Sequence, residues 1–216
     1  MYDILAIIIG YILGSVPFAL LITRAFGVKN LRAVGSGNLG ATNAWRAAGP
    51  AAGILVSASD IGKGVLAVLI AGVMPDSVIG FEYIKLMSGI AAVLGHIFPV
   101  FLLFRGGKGV NTALGVMITL LPVETLIALG IFIIAVAASR RISLGSILAA
   151  IVFAIVISLE YLLEFREVHP VYVPTALFLM VLIIVTHRTN IKRLISGKEG
   201  PMNFKTRDAH EVENNA

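Results

Sequence analysis

The chain has 216 residues, of which 58% are hydrophobic and only 13% charged, with no cysteine and a formal net charge of +5. A soluble globular domain carries roughly a quarter charged residues, so this composition excludes that class and points to a single domain in a bilayer. The missing cysteines exclude disulfides, thiolate metal sites and a cysteine acyl-enzyme. The positive charge lies between apolar runs, where it reads as topology signal and anion contact rather than nucleic-acid binding.

Apolar runs occupy residues 4–26, 51–73, 84–104, 110–138, 142–163 and 171–186, each near or above the roughly 20 residues needed to cross the hydrocarbon core as helix. The first run is long, with Asp3 rather than a cation ahead of it. It is therefore expected to stay as the first span, amino terminus outside, and not to be cleaved as a signal peptide. Residues 35–43 follow, placing Gly35, Gly37 and Gly40 among Ser36, Asn38, Thr42 and Asn43, with Arg46 just beyond. Glycines let backbone N–H groups approach an anion closely, and successive N–H groups form an anion-binding nest. The alternative is a flexible re-entry loop with a topogenic arginine. Asn43 to Arg46 is expected on a short interfacial helix that Gly49 and Pro50 end, with Trp45 suited to the interface.

In the second run Asp60 and Lys63 stand at i, i+3 spacing, which predicts an ion pair facing the bundle and helping to orient site groups. His96, one turn before Pro99, either lines the site or hydrogen-bonds a neighbouring helix. Gly106, Gly107, Lys108 and Gly109 then precede a helix whose unpaired N–H groups and positive dipole end favour anions. The alternative is a glycine turn with a snorkelling lysine. The Gly-x4-Gly-Lys-Ser/Thr spacing of a nucleotide-binding P-loop is absent.

The fourth run contains Pro122 and Glu124 at its middle, and proline lacks an N–H and clashes with the preceding turn. Crossing twice, the run leaves every basic cluster on the cytoplasmic side: Arg24 to Arg46, Arg105 with Lys108, Arg140 with Arg141, and Arg188 to Arg193. The acidic connections around Asp76 and Glu82, Glu124, and Glu160 to Glu167 then lie outside. Crossing once would break the positive-inside rule twice. The expected fold is an all-α integral membrane protein with seven transmembrane helices, two of them short, amino terminus out and carboxyl terminus in. Its membrane domain covers 1–197, followed by a polar, disordered cytoplasmic tail over 198–216. His169 falls on the outer side and plays no part. The last helix exits into His187, Arg188, Asn190, Lys192 and Arg193. The cations serve topology, but His187 and Asn190 exceed what topology requires.

Three polar stretches thus share one face. Residues 35–43 read Gly-Ser-Gly-Asn-Leu-Gly-Ala-Thr-Asn. Residues 95–101 read Gly-His-Ile-Phe-Pro-Val-Phe and continue to Gly-Gly-Lys-Gly-Val at 106–110. Residues 187–195 read His-Arg-Thr-Asn-Ile-Lys-Arg-Leu-Ile, with Gly197 and Glu199 beyond. In this order they resemble the three signature motifs of the bacterial acyl-phosphate-dependent glycerol-3-phosphate acyltransferase family, and Asp60-Ile-Gly-Lys63-Gly64 is similar to that family too. The resemblance covers the chain up to the polar tail. Asn111 departs from it, since alanine is commoner there.

The resemblance implies a multi-pass enzyme of the bacterial cytoplasmic membrane. It would move a fatty acyl group from acyl phosphate to the 1-hydroxyl of glycerol 3-phosphate, giving lysophosphatidic acid and phosphate. It further implies no acyl-enzyme, no acyl-CoA or acyl-carrier protein as direct donor, and functional coupling to an enzyme that makes acyl phosphate; no residue pattern calls for a metal or organic cofactor. No histidine is followed five positions later by aspartate, so the His-x4-Asp signature of thioester-using acyltransferases is missing. The catalytic set implied is Ser36, Arg46, Lys108, His187 and Asn190. The phosphate-binding set is Gly35, Gly37, Asn38, Gly40, Thr42, Asn43, His96, Gly106, Gly107, Gly109, Arg188, Lys192 and Glu199. Ser36, Asn38, Arg46 and the glycine amides would face the acyl phosphate, and Lys108 with Asn190 and Arg188 or Lys192 would gather glycerol 3-phosphate. Either His187, His96 or a substrate phosphate oxygen could take the proton, and the cation-rich motifs favour the phosphate. The rival class is a transporter of organic phosphates, whose broken helices this chain shares, although transport needs polar groups on both faces.

Overall fold

The computed structural model describes residues 2–75 and 77–202, all helical or connecting segments. Asp76 and residues 203–216, most of the expected tail, lie outside the described residues. The helices are α1 (Tyr2–Ser15), α2 (Phe18–Ala25), α3 (Ala41–Gly72), α4 (Phe81–Ile97), α5 (Val110–Leu120), α6 (Pro122–Ser139), α7 (Ile142–Leu162), α8 (Tyr172–Thr186) and α9 (Arg188–Ile195).

Proline and glycine set the breaks. The first apolar run is divided into α1 and α2 at Val16-Pro17, where the missing N–H interrupts the ladder. In α3, Gly49 adopts φ 86° and ψ 177°, a conformation that favours glycine, so the residues before it form a separate short helix, kinked away from the rest. The expected division of the fourth run is present: Leu121, at φ −137° and ψ 68°, leaves the helical conformation ahead of Pro122 and separates α5 from α6. The third run differs from expectation. Its helix ends at Ile97, and residues 98–109 form a loop with a short 3₁₀ turn at Val100–Leu102.

By length and composition, five helical segments among the described residues can cross a membrane, and six if α8 and α9, bent by 63°, count as one. This is fewer than the seven expected, because α5 has only 11 residues and is about 16 Å long. Close crossings of small residues hold the bundle, as is usual where lipid removes the hydrophobic drive between helices. A Cβ on Gly14 of α1 would lie 2.0 Å from the Ala92 carbonyl oxygen of α4. One on Gly64 of α3 would lie 2.3 Å from the Thr112 carbonyl oxygen of α5. The Ser88 hydroxyl, buried in α4, sits 3.0 Å from the carbonyls of both Ala6 and Ala67, tying α1, α3 and α4 together. A second core, built on Val116, Phe153, Ile157, Ala176 and Leu179, joins α5, α7 and α8.

Polar contacts gather at the two ends of this bundle. At one end Arg32 donates to the Arg105 carbonyl, Lys108 reaches Asn190, and Met202 N–H donates to the Arg140 carbonyl. At the other, Val78 N–H donates to Asp3, Tyr172 OH donates to Glu82, and Arg166 pairs with Glu124 at 3.1 Å.

Candidate active site

A cavity of about 420 Å³ opens at the basic end. Its walls include Ser36, Asn38, Gly40, Thr42 and Arg46 from the first motif, Lys108 and Gly109 from the second, and His187, Asn190 and Glu199 from the third, with His96 and Asp60 deeper. All three motifs therefore meet.

The first motif is shaped from behind by Asn43, which is 1% exposed. Its Oδ1 accepts from Ser36 N–H at 3.0 Å, and its Nδ2 donates to the carbonyls of Leu31 and Val34 at 3.1 and 3.0 Å. The amide expected at a phosphate is thus committed to holding the loop. Gly35 and Gly37 have φ of +59° and +69° and turn the chain so that Ser36 and Asn38 face the cavity, which these two glycines themselves do not line. Arg46 stands four residues after Thr42, on the same helix face.

In the second motif Gly106 and Gly107, expected among the phosphate-binding residues, are engaged elsewhere. The N–H groups of Gly106 and Gly107 donate to the carbonyls of Ile97 and His96 at 3.0 and 3.1 Å, so they cap α4 rather than face a ligand. A Cβ at Gly107 would lie 2.1 Å from His96 Nε2. The glycines are needed because the loop packs directly on α4. That packing delivers Lys108 to the cavity and starts α5 after Gly109.

Lys108 Nζ donates to Asn190 Oδ1. Asn190 Nδ2 donates to Glu199 Oε1 at 2.6 Å, which also accepts from Ser143 Oγ at 3.0 Å, while Glu199 Oε2 accepts from Arg193 Nε at 2.7 Å. Burial pushes the Lys108 ammonium down to about 8, with Arg193 and Arg46 adding to the fall and only the Glu199 carboxylate opposing it. Burial alone would raise the Glu199 carboxyl, but hydrogen bonds from Arg193, Asn190 and Ser143 outweigh it and hold the group below its ordinary value. Glu199 through Met202, assigned from sequence to the tail, stay against the body: Arg141 Nε donates to the Glu199 carbonyl at 3.1 Å, and Met202 is buried.

In α9 Asn190 points inward, so Arg188 and Lys192, two residues to either side, fall on the opposite face. Both are exposed and neither lines the cavity. Arg193, from the same helix, instead anchors Glu199. Sequence reasoning missed Ser143 and used Arg193 only for topology. A serine in an apolar run carries no signal of its own, and Arg193 is separable from Arg188 and Lys192 only by its place on the helix. His187 is buried, with Nδ1 2.8 Å from the Ile183 carbonyl, which assigns the proton to Nδ1 and leaves Nε2 an acceptor.

Asp60 and Lys63 form the expected pair at 2.9 Å, with His96 Nδ1 3.4 Å from the same Asp60 oxygen. Lys63 also donates to the Val16 carbonyl at the proline break, at 3.2 Å. Among the described residues no three His, Asp or Glu side chains are grouped to hold a metal.

A second, apolar cavity of about 120 Å³ lies between α5, α6, α7 and α8, lined by Met117, Leu129, Phe153, Leu179 and Met180 among others. It shares Val110, Asn111, Leu114, Phe132 and Ser146 with the polar one. A polar, cation-lined chamber thus continues into an apolar slot.

Residues 4–197 match the family model described as glycerol-3-phosphate acyltransferase. Glycerol-3-phosphate acyltransferase 3 of Dehalococcoides mccartyi is 41% identical, covering 94% of this chain and 97% of that protein. The glycerol-3-phosphate acyltransferase of Trichlorobacter lovleyi is 44% identical, over 88% and 92%. Among solved structures, the glycerol 3-phosphate form of PlsY (YgiH), an integral membrane glycerol 3-phosphate acyltransferase, superimposes with a TM-score of 0.81 at 36% identity. It covers 94% of this chain and 96% of that one. The lysophosphatidic acid form gives 0.79 at 37%. Organic-phosphate transport gives way to acyl transfer, and the chain belongs to the PlsY glycerol-3-phosphate acyltransferase family.

Proposed function

We propose that this glycerol-3-phosphate acyltransferase takes its acyl group from acyl phosphate and delivers it to the 1-hydroxyl of glycerol 3-phosphate. The observation that carries the reading is the junction of the two cavities. Arg46 supplies permanent positive charge and Lys108 a cation below about pH 8, one for each of two phosphates, and the apolar slot beginning beside them fits a hydrocarbon tail. Ser36, Asn38 and Arg46 hold the acyl phosphate. Lys108 and Asn190, steadied by Glu199, hold glycerol 3-phosphate.

Acyl phosphate is a mixed anhydride and already activated, so the protein's work is to bring two anions together and aim the hydroxyl. Such positioning supplies about 7–11 kcal/mol in favourable cases. The 1-hydroxyl oxygen attacks the carbonyl carbon, the carbon–oxygen bond to phosphate breaks, and the hydroxyl proton leaves on the released phosphate. No protein base is needed: the chamber is rich in cations and amides, which bind anions rather than take protons. Replacing His96 or His187 by Gln then costs less than about tenfold in turnover, below the 10²–10⁴ of general-base catalysis.

The chamber faces the cytoplasm of a bacterial cell and the chain crosses the inner membrane seven times, with α5, of 11 residues, a short crossing. The membrane domain covers 1–197, and Glu199 through Met202 pack against it ahead of a polar tail. Supporting this are the gathering of the basic residues at the chamber's end of the bundle and the positive-inside rule. An enzyme that produces acyl phosphate must work upstream. The test is phosphate release by purified protein given palmitoyl phosphate. Release that requires glycerol 3-phosphate, with lysophosphatidic acid formed one for one, is expected. No turnover by folded protein would refute acyl phosphate as the donor.

A further inference from the structure

The carbonyl of an acyl phosphate joins a charged group to a hydrocarbon chain, so in this protein it must sit where the polar chamber meets the apolar slot. Of the five residues shared by both cavities, only Asn111 and Ser146 carry polar side chains. The Ser146 hydroxyl is spent within its own helix, donating to the Ile142 carbonyl at 3.0 Å. Asn111 Nδ2 donates one hydrogen to Ser57 Oγ at 3.1 Å, and an amide nitrogen carries two. Asn111 also lies in the first turn of α5, ahead of the first intrahelical donor, Ala113 N–H to the Gly109 carbonyl at 2.8 Å. The positive end of the helix therefore acts in the same place.

We propose that Asn111 is a catalytic residue of this chain that donates its second amide hydrogen to the acyl carbonyl oxygen, stabilising the oxyanion formed on attack, with Ser57 fixing the amide's direction. The role rests on acyl phosphate being the donor. Because alanine is commoner at this position in the family, the contact adds to the shared machinery. Its loss therefore costs less than the 10²–10³ typical of a sole oxyanion donor.

The test compares two non-reactive ligands that differ only in the carbonyl: 2-oxoheptadecylphosphonate, which has it, and heptadecylphosphonate, which does not. In Asn111→Ala and Asn111→Leu the inhibition constant of the ketone rises about fivefold, the size of one hydrogen bond, and that of the alkyl compound stays put. Turnover of palmitoyl phosphate falls about tenfold, with KM for glycerol 3-phosphate unchanged. Equal changes for both ligands, or none for either, would overturn the assignment. A second measurement needs no variant: the infrared stretch of a ¹³C-labelled carbonyl in the ketone bound to the unaltered protein is red-shifted from its value in hydrocarbon solvent. An unshifted band would sink the proposal. Failure of palmitoyl phosphate to support transfer at all would instead remove the donor reading, which the ligand comparison does not depend on.

Discussion

Lys108 is the residue at which activity should report its own charge state. Its ammonium is pushed down to about 8 by burial, so in the free enzyme the cation is complete below that pH and is lost as pH rises through it. In the proposed assignment this cation binds glycerol 3-phosphate. The second-order constant kcat/KM for glycerol 3-phosphate is therefore expected to fall above about pH 8, approaching tenfold per unit. Turnover at saturation should stay flatter, because a bound phosphate dianion raises the lysine again. Lys108→Arg, which keeps its charge, should lose this alkaline limb, and a profile unchanged in that variant would assign the limb elsewhere. Asn43 makes a contrasting case. Asn43→Ala strands two carbonyls and one N–H behind the first motif, at about 1–3 kcal/mol for the buried groups. It should lower Tm as well as activity, whereas Ser36→Ala should lower activity alone. These residues also mark the limit of sequence reading. An amide beside three glycines is chemically suited to a phosphate or to a backbone carbonyl, and only the fold of residues 31–43 decides for the second. Arg188, Lys192 and Arg193 are likewise indistinguishable by type, and the direction of one helical turn separates them.

Among the elements, the crossing of α3 and α5 governs the site because α5 begins at Val110, two residues after Lys108. A Cβ on Gly64 would come within 2.3 Å of the Thr112 carbonyl oxygen and 3.0 Å of Val116 N, backbone atoms that cannot yield without moving the helix. Gly64→Ala should therefore shift α5, cost about 1–3 kcal/mol of overpacking and reduce activity more than tenfold. Gly62, one residue pair away on the same helix, has nothing within 4 Å of its virtual Cβ. Gly62→Ala should leave Tm and turnover where they are or raise Tm slightly. Thermal unfolding in detergent and phosphate release measure both, and similar behaviour of the two variants would deny that the crossing matters. The break at Pro122 could be read from sequence because proline stood mid-run beside an acid in a segment too long for one crossing. The break at Pro17 could not, since that run, although long for a signal peptide, is no longer than one crossing needs. Nor could the end of α4 at Ile97: residues 98–104 are nearly all apolar, yet Gly106 and Gly107 cap the helix end from beyond them.

For the whole molecule, the arrangement of ends decides whether one chamber can collect all three motifs. Seven crossings place Arg105 and Arg140 on the same side, and a single helix through residues 110–138 would place them on opposite sides. The hydrogen bonds favour the first. Lys108 and the Arg140 carbonyl both connect to the segment 190–202, while Glu124, at the turn between α5 and α6, pairs with Arg166 at the other end. An 11-residue α5 spans about 16 Å, roughly half the hydrocarbon core, so one of its two ends lies below the membrane surface, while α6, with 18 residues, is long enough to cross. At the turn between them the Glu124 carboxylate is tolerable because it is buried in protein and paired. The natural chain has no cysteine, so one introduced thiol reports one position. In intact cells a membrane-impermeant maleimide should label Val78→Cys and Glu167→Cys. It should reach Arg105→Cys and Arg140→Cys only after the membrane is opened. The reverse pattern would invert the protein and put the chamber outside. Labelling of Arg105→Cys and Arg140→Cys from opposite sides would make α5 and α6 one crossing, and it would separate Lys108 from Glu199 by the bilayer. The hydrogen-bonded chain from Lys108 through Asn190 to Glu199 forbids that separation, so co-labelling from one side is the outcome that the site itself requires.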